Sequence, residues 1–142
     1  MAGKDAGEPQ AGMPALPGRP ALRREFLVAA FETLHKRSSA QVARLWESLS
    51  QIKGVRLYGP LPEVERTPTV SFIIEGRAST QVARSLAERG LFVSHGDFYA
   101  ATVIERLGLA PEGLVRIGSA CYTSDGEIER LISAVREIAR TS

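Results

Sequence analysis

Beyond residue 20 the chain alternates between two apolar periods, and glycines mark the switches. Three- and four-residue spacing is the mark of an amphipathic helix. It appears at Leu22, Phe26, Ala29, Ala30 and Leu34, and again at Val42, Leu45, Trp46, Leu49 and Ile52. The polar stretch His35-Lys36-Arg37-Ser38-Ser39 lies between, so this is one long helix or two joined by a short break, with Gly54 as its stop. Val55–Tyr58 and Thr69–Glu75 read as strands; in the second, Val70, Phe72 and Ile74 alternate with Ser71 and Ile73. Ser79 is placed to cap a helix carrying Val82, Ala83 and Leu86 that Gly90 ends. Leu91-Phe92-Val93 reads as a short buried strand and Ser94-His95-Gly96-Asp97 as a loop, with Asp97 a cap for a short helix through Leu107. Leu114–Tyr122 is the next strand. Ser124 and Glu127 then form a capping box before the stripe Ile128, Leu131, Ile132, Val135 and Ile138. The order α, β, β, α, β, short α, β, α predicts an α+β fold. The expected form is a two-layer sandwich of a small, mostly antiparallel sheet with helices on one face.

Composition narrows the reading further. The first 20 residues hold 4 of the 13 glycines and 4 of the 8 prolines, so residues 1–20 read as a flexible leader. Residues 21–53 are the helical lead-in and 54–142 the α+β domain. Roughly 120 folding residues support one modest core, and no separate cofactor domain is expected. The net charge is only +2, and the 15 arginines are spread along the chain, which argues against a nucleic-acid partner. No apolar run approaches the ~20 residues of a membrane helix, and the N-terminus lacks the apolar region of a signal peptide. The single Cys121 forms no internal disulfide and is too few for a zinc cluster; a reducing, cytoplasmic location is expected.

One residue is out of place. Arg116 stands between Val115 and Ile117, and strand alternation puts it on a face with Leu114, Gly118 and Ala120. A guanidinium there meets an anion or reaches water, and Gly118 leaves room beside it. An arginine selected for a carboxylate binds it with two parallel hydrogen bonds. The loop His95-Gly96-Asp97-Phe98-Tyr99 opens a helix, where free N–H groups favour an anion and His95 is suited to proton transfer. Cys121 and Trp46 read as core residues, and Tyr122 ends the strand. No nucleophile–base set, phosphate loop or metal-ligand spacing is present. On residues alone, a non-catalytic α+β ligand- or protein-interaction module remains open, with the apolar face of helix 21–53 available to a partner.

Several segments keep a common order. They are Gly54-Val55-Arg56-Leu57-Tyr58-Gly59-Pro60, Arg66-Thr67-Pro68-Thr69-Val70-Ser71-Phe72, and residues 82–93 with Gly96-Asp97-Phe98-Tyr99-Ala100. Val115-Arg116-Ile117-Gly118, Tyr122-Thr123-Ser124 and residues 127–131 follow. Together they resemble the C-terminal small domain of class V aminotransferase-like, pyridoxal-phosphate enzymes, in the cysteine desulfurase-like branch. The resemblance implies the small-domain fold of fold-type I enzymes. It implies that Arg116 binds the α-carboxylate of an amino-acid substrate and that residues 94–100 face the active site. It also implies a pyridoxal 5'-phosphate-binding large domain, which residues 1–20 are too short to supply. The chain is thus expected to be a truncated or detached small domain, incomplete as an enzyme and binding no cofactor alone. A large domain or a homodimer partner would act in trans. Desulfurases carry their sulfur-accepting cysteine at the position of Tyr99, and the family's Tyr-Asn-Thr signature is Tyr122-Thr123-Ser124 here. Thr33-Leu34-His35-Lys36 imitates the family's cofactor-lysine motif but lies inside the helical pattern.

Overall fold

A computed structural model describes residues 20–141; the expected leader, apart from Pro20, lies outside the described residues. Eight elements follow in the expected order. They are α1 (Pro20–Ser50), β1 (Val55–Tyr58), β2 (Thr69–Ile74), α2 (Ser79–Ala87), β3 (Ser94–Gly96), α3 (Ala101–Arg106), β4 (Leu114–Gly118) and α4 (Asp125–Arg140). The polar stretch 35–39 does not break α1, which runs as one helix of 31 residues. By contacts the chain divides after Thr33. In the first unit, Leu22, Phe26, Leu27, Val28 and Phe31 are exposed on the opening turns of α1.

The second unit, from Leu34, holds the sheet and its core. The strand order is β1-β2-β4-β3, antiparallel throughout. Alternation sends Val70, Phe72, Ile74, Val115 and Ile117 to one face, where they are buried with residues of three helices. Val42, Leu45 and Leu49 come from α1, Val82 and Leu86 from α2, and Ile128, Leu131, Ile132, Val135 and Ile138 from α4. This is the expected two-layer α+β sandwich, and burial of these side chains is its main stabilising term. Trp46 is only half-buried at the core edge, with the Arg66 guanidinium 5.4 Å from its ring. Among the described residues no helix is long and apolar enough to cross a membrane.

Six local expectations are corrected. Leu91–Val93 is not a strand: Leu91 N–H closes back onto Leu86 C=O, Phe92 is 87% exposed, and pairing with β4 begins only at Ser94. Ser94-His95-Gly96 is accordingly a strand rather than a loop. β4 ends at Gly118, because Ala120–Thr123 turns, with Thr123 N–H donating to Ala120 C=O. Cys121 rides on that turn and is exposed, not core. Neither Ser79 nor Asp97 caps a helix. Ala78 is the cap residue of α2, and the Ser79 hydroxyl donates to Glu112 C=O. Asp97 Oδ1 instead accepts the Tyr99 N–H at 3.0 Å, a local turn two residues long.

The α4 capping box is present as expected. Glu127 N–H donates to Ser124 Oγ at 3.3 Å, and Ser124 N–H to Glu127 Oε2 at 2.8 Å. The Ser124 N–H and the Ser124 hydroxyl, the latter also at 2.8 Å, both donate to Glu127 Oε2 and, with a smaller contribution from Arg130, hold the Glu127 carboxyl below its ordinary value. A carboxyl with a lowered folded-state pKa stabilises above its unfolded pKa and loses that contribution as pH falls through the folded value. Ser124→Ala removes the N-cap acceptor of α4 and is expected to cost about 1 kcal/mol at neutral pH. In thermal melts its deficit relative to wild type should shrink as acid protonates Glu127; a deficit unchanged down to strongly acidic pH would contradict this role.

Candidate functional site

Three helices cover one face of the sheet and leave the strand residues of alternate parity on the other. Register places Arg56 beside Ile73, and Tyr58, Ser71, Arg116 and Ser94 across one row. Gly118 lies beside Thr69, and Gly96 beside Leu114. None of the four strands contains an aspartate or glutamate. This face thus offers two guanidiniums and several hydroxyls with no carboxylate from the sheet, a field that attracts anions.

Arg116 is exposed at the middle of this row. Its neighbours Val115 and Ile117 are buried on the other face, which fixes the backbone and therefore the direction of the side chain. Among the described residues it makes no ion pair and no hydrogen bond, so none of its five N–H donors has a partner among them. Among the described residues its ring partner is Phe98, whose centroid is 4.0 Å from the guanidinium carbon. Glycine clears space on both sides: Gly118 two residues on, and Gly96 across the ladder, where an added Cβ meets nothing within 4 Å.

The structure brings only part of the expected loop to Arg116. Phe98 stacks on it. His95 pairs with Val115 and so projects to the opposite face of the sheet, exposed at the edge strand. Asp97 is engaged with the Tyr99 N–H, and Tyr99 is fully exposed. Phe98 and Tyr99 both adopt positive φ, +53° and +61°. Such conformations are costly for residues with a Cβ and persist only where surroundings impose them. One constraint is Gly113, whose buried backbone lies against Gly96: a Cβ there would sit 2.2 Å from the Gly96 carbonyl oxygen. Neither the stack nor this contact has a local sequence signal.

A second feature, absent from the sequence reading, anchors the chain just beyond β4. Buried Gln41 of α1 accepts from the Ser119 hydroxyl and donates from Nε2 to Thr123 C=O at 2.9 Å. Arg37 donates to the same carbonyl at 3.0 Å, and Thr123 Oγ1 accepts the Ala120 N–H at 2.9 Å. The turn carrying Cys121 and Tyr122 is thereby tied to α1. Gln41 could have been noticed as a polar residue beside the apolar stripe at Val42 and Leu45.

Lys36 is exposed on α1, and Lys53 is exposed in the turn before β1. Neither belongs to a strand of the sheet, and no cluster of metal-ligating side chains occurs among the described residues. The Thr33–Lys36 sequence is helix surface, as its pattern implied.

Known proteins share this fold. A cysteine desulfurase of Synechococcus elongatus is 36% identical over 90 residues, covering 63% of this chain and 14% of the relative. The apo structure of a cysteine desulfurase from Thermococcus onnurineus NA1 superposes with a TM-score of 0.68 at 26% identity, covering 75% of this chain and 26% of that one. A C-DES variant with glycine covalently linked to its PLP cofactor has the same fold at 17% identity, with a TM-score of 0.52 over 75% of this chain and 23% of that one. The chain therefore corresponds to a minor portion of the proteins it matches. A family model, Aminotransferase class-V, matches residues 12–131, and the chain belongs to that family.

Proposed function

We propose that this chain provides the substrate-carboxylate grip of a pyridoxal-phosphate-dependent, class V aminotransferase-like or cysteine desulfurase-like enzyme. The supporting observation is Arg116: an exposed guanidinium without a protein acceptor among the described residues, on the sheet face opposite the main core, in strands that carry no acidic residue. In this role it holds the α-carboxylate of an amino acid in a bidentate pair and so orients the substrate. Phe98 and the Gly96 backbone border the place where that carboxylate sits. The cofactor lysine and phosphate site belong to a large domain, on the same polypeptide or on a partner, in a cytoplasmic setting.

The exposed Leu22, Phe26, Leu27, Val28 and Phe31 favour a partner as well. Large apolar side chains left exposed along successive turns of one helix favour a docking surface, which suits a large domain or a second copy of the chain. A non-catalytic interaction module shares this observation, and the carboxylate grip separates the two. Incubated with pyridoxal phosphate and passed through gel filtration, the chain alone is expected to emerge without cofactor absorbance. Stoichiometric retention of the cofactor would overturn the assignment of its binding site to a large domain.

A further inference from the structure

We propose that Phe98 is a positioning residue for Arg116, presenting the guanidinium edge-on to an incoming α-amino carboxylate; the inference rests on the carboxylate role proposed above. The guanidinium carbon lies over the Phe98 ring, 4.0 Å from its centroid, and a planar guanidinium in that position stacks face to face on an aromatic ring. A carboxylate binds in the guanidinium plane through two parallel N–H···O bonds. The stack therefore leaves the binding edge open while it restricts the side chain's rotation. No other described residue does this, because Arg116 has no hydrogen bond or ion pair of its own. Phe98 reaches the stack only through its positive φ of +53°. The loop is held there by the Asp97 Oδ1 bond to Tyr99 N–H and by the Asp97 carbonyl, which accepts Ala100 N–H at 2.9 Å. A guanidinium ordered before the ligand arrives loses less rotamer freedom on binding.

The test uses the full 142-residue chain, isotopically labelled, with L-alanine as the probe and the Arg116 Nε–Hε resonance as the readout. In the wild type the ring current of Phe98 is expected to shift this proton upfield. Phe98→Leu keeps bulk but removes the ring; it should lose the upfield shift and bind L-alanine about threefold to tenfold more weakly. Phe98→Tyr restores a ring and should restore both, which a purely space-filling role would not require. Unchanged amide resonances at Ser71 and Val115 report an intact sheet. Wild-type affinity in Phe98→Leu, failure of Phe98→Tyr to recover binding, or an unshifted Arg116 proton in the wild type would each overturn the inference. The last of these needs no variant to fold. A wild-type chain whose Arg116 does not respond to L-alanine would instead remove the carboxylate reading, and this inference with it.

Discussion

Arg116→Ala is expected to weaken L-alanine binding tenfold or more and to leave the fold intact. The two effects separate because Arg116 contributes little to the folded chain. Among the described residues it has no protein acceptor and its one partner is the Phe98 ring, and its side chain is exposed. Losing that stack should change stability by no more than about 1 kcal/mol. Hydrogen bonds to a charged ligand are worth about 1.5–3 kcal/mol, so removing the donor costs tenfold or more in affinity. Arg116→Lys gives the sharper comparison. It preserves the charge but not the planar fork, and should recover only a small part of the binding. Titrations followed by backbone amides at Ser71 and Ser94, which flank Arg116 in the sheet, would measure both. Equal binding by the lysine variant would mean that the site reads charge alone.

Gly113→Ala should produce the largest loss of stability. Gly113 is buried at φ +69°, and its added Cβ would meet the Gly96 carbonyl oxygen at 2.2 Å, its carbon at 2.3 Å and Asp97 N at 2.9 Å. All three are backbone atoms, so relief requires the end of β3 to move. Left-handed backbone for an alanine costs about 1–2 kcal/mol, and overpacking adds about 1–3 kcal/mol. Gly108→Ala is the control: φ is +71°, but no atom lies within 4 Å of its Cβ. Thermal melts should show Gly113→Ala losing markedly more than Gly108→Ala. Because the same shift carries the 97–99 loop, it should also disturb the Phe98–Arg116 stack. Equal melting temperatures for the two variants would show that the close approach does not constrain the loop.

The elements legible in the sequence were those with a strong local period. The α4 stripe, its capping box and the alternation of β2 each determine burial directly, and all appear as expected. Arg116 was legible because a charge inside an apolar strand contradicts its surroundings. What escaped was set by partners rather than by local pattern. β3 is a three-residue Ser-His-Gly edge strand, defined by pairing with β4, while the apolar Leu91–Val93 before it pairs with nothing. The same register turns His95 away from Arg116. Cys121 looked like core only while β4 was extended to Tyr122. Nothing local forecasts left-handed backbone at Phe98 and Tyr99, which carry side chains, so the stack became visible only in three dimensions.

The most direct measurement follows the Arg116 Nε–Hε resonance of the wild-type chain as L-alanine is added, with ethylamine, the same molecule without its carboxylate, in parallel. A saturable shift at Arg116 with L-alanine and none with ethylamine is the expected result. No shift, or an equal shift across the other arginines, would contradict the assignment of this face as a carboxylate site.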